Sequence, residues 1–108
     1  MIRFTDAIEV HAAPLVADAY TRSRDWSKSR LVWAGRGHVQ PDRTFEARSP
    51  ERDTSQERLL VYLPADVPVS AVDRVRYRGT WWEVDGEPMR WPHGALRHTR
   101  IRAWRVRN

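Results

Sequence analysis

Four histidines are the first place to look for metal or acid–base chemistry: His11, His38, His93 and His98. They are scattered along the chain. His93 and His98 stand five apart in a turn-and-strand context, which is not a zinc-ligand spacing. The chain has no cysteine, so thiolate metal sites, thiol nucleophiles and disulfide scaffolds are excluded. Asp85 and Glu87 flank Gly86, the ordinary chemistry of a turn. No Ser or Thr has a His with a carboxylate orienter placed as a nucleophile–base pair requires. Gly35-Arg36-Gly37 lacks the helix that follows a phosphate-cradling loop. The expectation is a protein that is not an enzyme, with no cofactor and no metal.

What remains is arginine and aromatic chemistry. The balance is 19 Lys+Arg against 14 Asp+Glu, a net charge of +5, and Lys28 is the only lysine. From Arg90 onward there are Arg90, Arg97, Arg100, Arg102, Arg105 and Arg107 with no acid, while the stretch from Asp42 to Glu57 is mildly acidic. These are different surfaces facing different things. The arginines read either as the wet face of a strand or as a face for an acidic neighbour. Arg76, Tyr77, Arg78, Trp81, Trp82, Trp91, Trp104 and Arg105 interleave charge with rings, as in small barrels that stack single-stranded nucleic acid. Trp81 and Trp82 are adjacent and must point to opposite faces of a strand, so one large ring is left for an interface or a ligand.

The elements that would position these groups are strands. Ile8 to Val16 is a short β-branched run interrupted by Pro14, and Asp18 to Ser29 reads as a long polar hairpin loop. Leu31-Val32-Trp33 leads into a bend or bulge at Gly35-Arg36-Gly37 before His38-Val39-Gln40 resumes the strand. Arg58 to Leu63 is the most apolar run and stops at Pro64; Val67 to Val72 is a connection with Pro68 at a turn. Arg74 to Tyr77 and Thr80 to Asp85 alternate at period two around Arg78-Gly79, the signature of an antiparallel hairpin. Leu96 to Val106 is a final long strand whose pattern implies a bulge near Ala103. No segment holds a helical period over ten residues.

A chain of 108 residues is one domain, 1–108, and buries only about 65% of its unfolded surface. Its six tryptophans, each removing roughly 150–250 Å² from water when buried, can anchor a small core. The fold class expected is all-β: a small antiparallel β-barrel or sandwich of about six strands with one long projecting loop. That loop, Thr44 to Gln56, has neither period two nor enough apolar content to pack. Loops of this length are functional or disordered. Met1 to Ala7 carries charges where a signal peptide needs its apolar stretch, and no run reaches the roughly 18 apolar residues of a membrane helix. A cytoplasmic place of synthesis and no membrane partner are expected.

Gly37-His38-Val39-Gln40-Pro41, Leu59 to Ala65, Ala71 to Val75, Tyr77 to Pro88 and Trp91-Pro92-His93-Gly94 form one ordered series, preceded by Ala13 to Tyr20 and Arg24-Asp25-Trp26. In order and spacing, over nearly the whole chain, it resembles the head-to-tail stopper (head-closure) proteins of long-tailed phages. The resemblance implies a structural virion protein: a small β-barrel assembled as a homo-oligomeric, sixfold ring in the connector. Adaptor and portal proteins would lie above it and the tail terminator or tail tube below. The ring would close the capsid over packaged double-stranded DNA, held without sequence specificity, and dock the tail. Its location would be the virion, after assembly in the host cytoplasm.

On the same resemblance the long loop is the channel gate, carried by Arg43, Thr44, Phe45, Glu46, Arg48, Glu51, Arg52, Asp53 and Gln56. Symmetric copies could pair Arg43, Arg48 and Arg52 with neighbours' Glu46, Glu51 and Asp53 at about 0–1 kcal/mol each, so such a gate is reversible. Pro50 cannot donate a backbone bond and interrupts any strand pairing through that point. Trp81, Trp91, Arg100, Arg102 and Arg105 are the candidate contacts to an adjacent subunit or to the tail. The alternative function is a free single-strand nucleic-acid-binding barrel.

Overall fold

Strand propensity and period-two patterning dominate the computed structural model, which describes residues 4–17, 22–42 and 56–106. Among the described residues nine strands follow in order: β1 (Asp6–Ala12), β2 (Leu15–Ala17), β3 (Arg22–Arg24), β4 (Arg30–Pro41), β5 (Gln56–Leu63), β6 (Arg74–Tyr77), β7 (Thr80–Val84), β8 (Met89–Trp91) and β9 (His98–Val106). One 3₁₀ turn, Trp26–Lys28, precedes β4. The main sheet runs β5-β4-β1-β6-β7-β9, and pairing of β5 with β9 closes it into a six-stranded antiparallel barrel. β8 adds to the first half of β9, and β2 and β3 form a separate small hairpin. Of barrel and sandwich, the chain forms the barrel.

The core is the inward row of every strand. Ile8 and Val10, Val61 and Leu63, Val75, Trp82 and Val84, and Ile101 and Ala103 are buried together. Closure depends on β4, whose first half pairs β1 (Asp6↔Gly37) and whose last residues pair β5 (His38↔Tyr62, Pro41↔Leu59). The expected turn at Arg78-Gly79 joins β6 to β7, with φ of 52° and 73°, the double left-handed conformation of a tight hairpin.

Several local expectations are corrected. The run from Ile8 to Val16 is two strands separated at Ala13-Pro14, because Pro14 cannot donate to a ladder. The presumed loop from Asp18 to Ser29 contains β3 and the 3₁₀ turn, where Asp25 accepts from the Ser27 backbone N–H. Ser27 O–H also donates to Asp25 and chiefly accounts for a carboxyl pKa held below its ordinary value. No bend occurs at Gly35-Arg36-Gly37. β4 runs through it, and the irregularity lies where Val10↔Trp33 steps to His11↔Leu31. No bulge occurs near Ala103 either, since β9 pairs β5 without a break from Leu63↔Thr99 to Gln56↔Val106.

The connection after β5 is more than a link. Val67 and Val69 are 1% and 3% exposed and belong to the core, while Pro68 between them faces outward. Two hydrogen bonds from Arg90 on β8 hold this stretch down, Nη1 to Val67 O at 2.9 Å and Nη2 to Val69 O at 2.7 Å, and Nη1 also donates to Thr99 Oγ1 on β9 at 3.2 Å. Thr99, fully buried, donates in turn to Ala65 O at 3.1 Å.

Candidate functional site

Strict antiparallel alternation gives the barrel two distinct ends. One end gathers the starts of β1, β5 and β7 and the finishes of β4, β6 and β9, and with them the Arg78-Gly79 turn. The other end gathers the β2–β3 hairpin, the Val67–Val69 stretch, β8 and the start of β9. Of the eight large apolar side chains exposed among the described residues, Leu15, Val16, Met89 and Trp91 sit on elements of this second end, Leu31 is near the start of β4, and Val72 and Leu96 lie in the connections leading to β6 and β9. Trp91 is 55% and Leu96 61% exposed. Trp81, on the outward face of β7, is the eighth.

The candidate gate residues Arg43, Thr44, Phe45, Glu46, Arg48, Glu51, Arg52 and Asp53 lie outside the described residues. Gln56 opens β5, and its Oε1 accepts from Arg58 Nη2 at 3.0 Å. The five candidate interface residues do not form one surface. Trp81 has His11 edge-on with ring centroids 4.7 Å apart and the Arg76 guanidinium 5.3 Å from its ring. Trp91 stands on β8, at the apolar end. Arg100 and Arg102 project from the outward face of β9, in register with Tyr62 and Leu60 of β5.

Arg105 is separated from these two. Period two places it on the inward row behind Thr99, Ile101 and Ala103, where an apolar residue would be the usual choice. Its Nε donates to Glu57 Oε2 at 2.7 Å, and its guanidinium lies 5.2 Å from the centroid of the buried Trp82. An ion pair with a ring beneath it thus covers that mouth of the barrel. Reversing Arg105 to Glu is expected to lower stability by about 1–2 kcal/mol, and adding Glu57→Arg to restore most of it. A double-mutant cycle in urea checks this; additive losses would mean the two side chains do not interact.

The stacking platform read from Arg76, Tyr77, Arg78, Trp81, Trp82, Trp91, Trp104 and Arg105 is not assembled. Trp82 is buried, Arg105 is committed to Glu57, and Trp91 belongs to the other end. As strand geometry requires, Trp81 and Trp82 face opposite ways, at 41% and 6% exposure. Among the described residues no group of three or more His, Asp or Glu could hold a metal ion. Among the described residues a cleft of about 670 Å³ lies between Phe4, Pro64 and Pro92, and two smaller open clefts lie elsewhere. One of about 360 Å³ lies over Ala7, Gly35 and Arg76, and one of about 370 Å³ lies between Trp26 and Trp104 with Glu83. In the cleft beside Trp26, Arg74 stacks 4.1 Å over that ring and pairs with Glu83 at 3.5 Å, so the cation such a site would take is supplied from within. No helix among the described residues is long and apolar enough to cross a membrane.

Sequence reading missed two groupings. Arg90 was counted only as charge, and Tyr62 was not connected to His38 and His98, which flank it across the sheet with centroids 5.9 and 5.6 Å away. Period two shows that Tyr62 and Arg100 each face outward or inward, but which strand lies beside which is a long-range fact.

No family model and no curated protein matches the chain. Among solved structures it is similar to the solution structure of protein SF1141 from Shigella flexneri 2a, with a TM-score of 0.65 and 15% identity. The match covers 94% of this chain and 91% of that one. The likeness is one of fold. At that identity it extends to the course of the barrel and not to what either protein binds.

Proposed function

We propose that the chain is a ring-forming subunit of a phage head-to-tail connector, closing the DNA-filled capsid and offering the docking face for the tail. The observation that carries this reading is the polarity of the barrel, with exposed apolar side chains concentrated on the elements of one end. Exposed apolar side chains gathered toward one end, rather than scattered singly over the surface, favour protein–protein contact there. A subunit stacked in a connector needs this polarity, because it meets adjacent copies around the ring and different proteins above and below. The resemblance of the ordered series of residues to head-closure proteins supports the same reading.

The partners on this reading are identical copies in a closed, sixfold ring, adaptor and portal proteins on one side, and the tail terminator or tail tube on the other. Packaged double-stranded DNA passes through the channel. The test is genetic and structural. Removing the chain from its phage is expected to leave separate heads and free tails in electron micrographs. Trp91→Asp with Leu96→Asp is expected to reproduce that phenotype from a folded protein. Normally tailed particles lacking the chain would sink the proposal.

A further inference from the structure

The outward side chains of β4, β5 and β9 form rows set by register. His38, Tyr62 and Arg100 lie side by side across the three strands, and Arg102 stands two residues further along β9, beside Leu60. His98, two residues before Arg100 on β9, is a diagonal neighbour that brings a third ring against Tyr62, with centroids 5.6 Å apart. No carboxylate occupies these positions. Arg74 and Arg105 are each paired with a glutamate, whereas Arg100 and Arg102 make no side-chain hydrogen bond or ion pair among the described residues.

We infer that this face binds single-stranded nucleic acid, with a base stacked on Tyr62 between the two histidines and the backbone phosphates on Arg100 and Arg102. Alternate residues of one strand are about 6.6 Å apart, comparable with the step between successive phosphates of an extended chain. Guanidinium is the side chain suited to phosphate, and every base has a π face that a tyrosine accepts irrespective of sequence. A duplex would engage the arginines and leave the rings idle, since its bases are already stacked. An acidic polypeptide would do the same. The three neighbouring rings beside the arginines are what favour an unpaired strand over both.

The experiment is a fluorescence-anisotropy titration of the full chain with a labelled oligothymidine at several salt concentrations. A duplex of equal length and a polyglutamate peptide form the comparison arms. Micromolar binding of the single strand is expected, weaker binding of both comparators, and a slope of about −1.4 in log association constant against log salt, the value for two phosphates. Tyr62→Ala is expected to weaken binding about tenfold or more at unchanged slope. Arg100→Gln with Arg102→Gln, both at outward positions and safe for folding, is expected to flatten the slope toward zero. Tyr62→Phe is expected to bind as the parent does. Absence of binding, equal binding of the duplex or the polyglutamate, or parental affinity in the double glutamine variant would overturn the inference.

Discussion

Gly37→Ala is expected to cost about 3 kcal/mol of folding stability, the upper part of the range for forcing an extra carbon into a filled core. Gly37 is buried at the point where β4 passes from its pairing with β1 to its pairing with β5. A Cβ there would stand 2.6 Å from Ile8 Cδ1, 2.7 Å from the Tyr62 carbonyl oxygen and 2.9 Å from Leu63 Cδ2. The isoleucine tip can rotate away. The carbonyl cannot, because it belongs to the strand against which β4 closes the barrel. Relief requires β4 and β5 to part, and that seam is one of six on which closure depends. Gly35 gives the internal comparison: the three atoms nearest its Cβ would all belong to the Trp33 ring, the first Cζ2 at 2.5 Å, and a half-buried side chain can swing aside. Gly35→Ala is therefore expected to cost about 1 kcal/mol. Urea unfolding of both variants checks the pair, and at this size the larger loss corresponds to a melting point lower by roughly 15 °C. Equal midpoints for Gly37→Ala and the parent would show that the seam is looser than described.

Arg90→Met is the second large effect, expected at about 2 kcal/mol. Methionine keeps most of the aliphatic length and removes the three donors. Val67 and Val69 are buried in a connection outside the strand ladders, where the Val69 carbonyl accepts from Arg90 and the Val67 carbonyl from Arg90 and the Val69 N–H. Hydrogen bonds from a charged donor are worth about 1.5–3 kcal/mol, and the exposure of Arg90 to solvent reduces the net value. Arg90→Lys is expected to recover little, because a single ammonium does not span two carbonyls as a planar fork does. The effect should be local before it is global. Amide exchange at Val67, whose N–H donates to Pro64 O, and at Val69, whose N–H donates to Val67 O, is expected to accelerate in Arg90→Met. Unchanged protection at those two amides would mean that side-chain burial alone holds the stretch down.

The two positions differ in how visible they were. A glycine between Arg36 and His38 signals a close approach or a bend, and the bend was the natural reading; the true cause, a carbonyl of a strand 25 residues away, has no local trace. Arg90 looked like one more member of a basic stretch. Its role depends on β8 lying against β9 beside the Val67–Val69 turn, which no pattern within Met89-Arg90-Trp91 reveals. The same holds at the functional faces. Arg100, Arg102 and Arg105 read as one charged run, yet the first two face out and the third turns into the barrel mouth toward Glu57. The apolar pair Trp104 and Val106 suggests a bulge that would turn Arg105 outward, whereas the unbroken ladder leaves Arg105 on the inward row against Glu57.

Short-range chemistry was therefore sufficient for the all-β class, for the β6–β7 hairpin about Arg78-Gly79, and for the opposed fates of Trp81 and Trp82. Each follows from backbone dihedrals and the pleat, which act over two to four residues. Closure of β5 on β9, the plugging of one end by Val67 and Val69, and the meeting of Tyr62 with His38, His98 and Arg100 came only with the folded barrel. Those depend on strand stagger around a closed sheet, a property of all six strands together that no single segment contains.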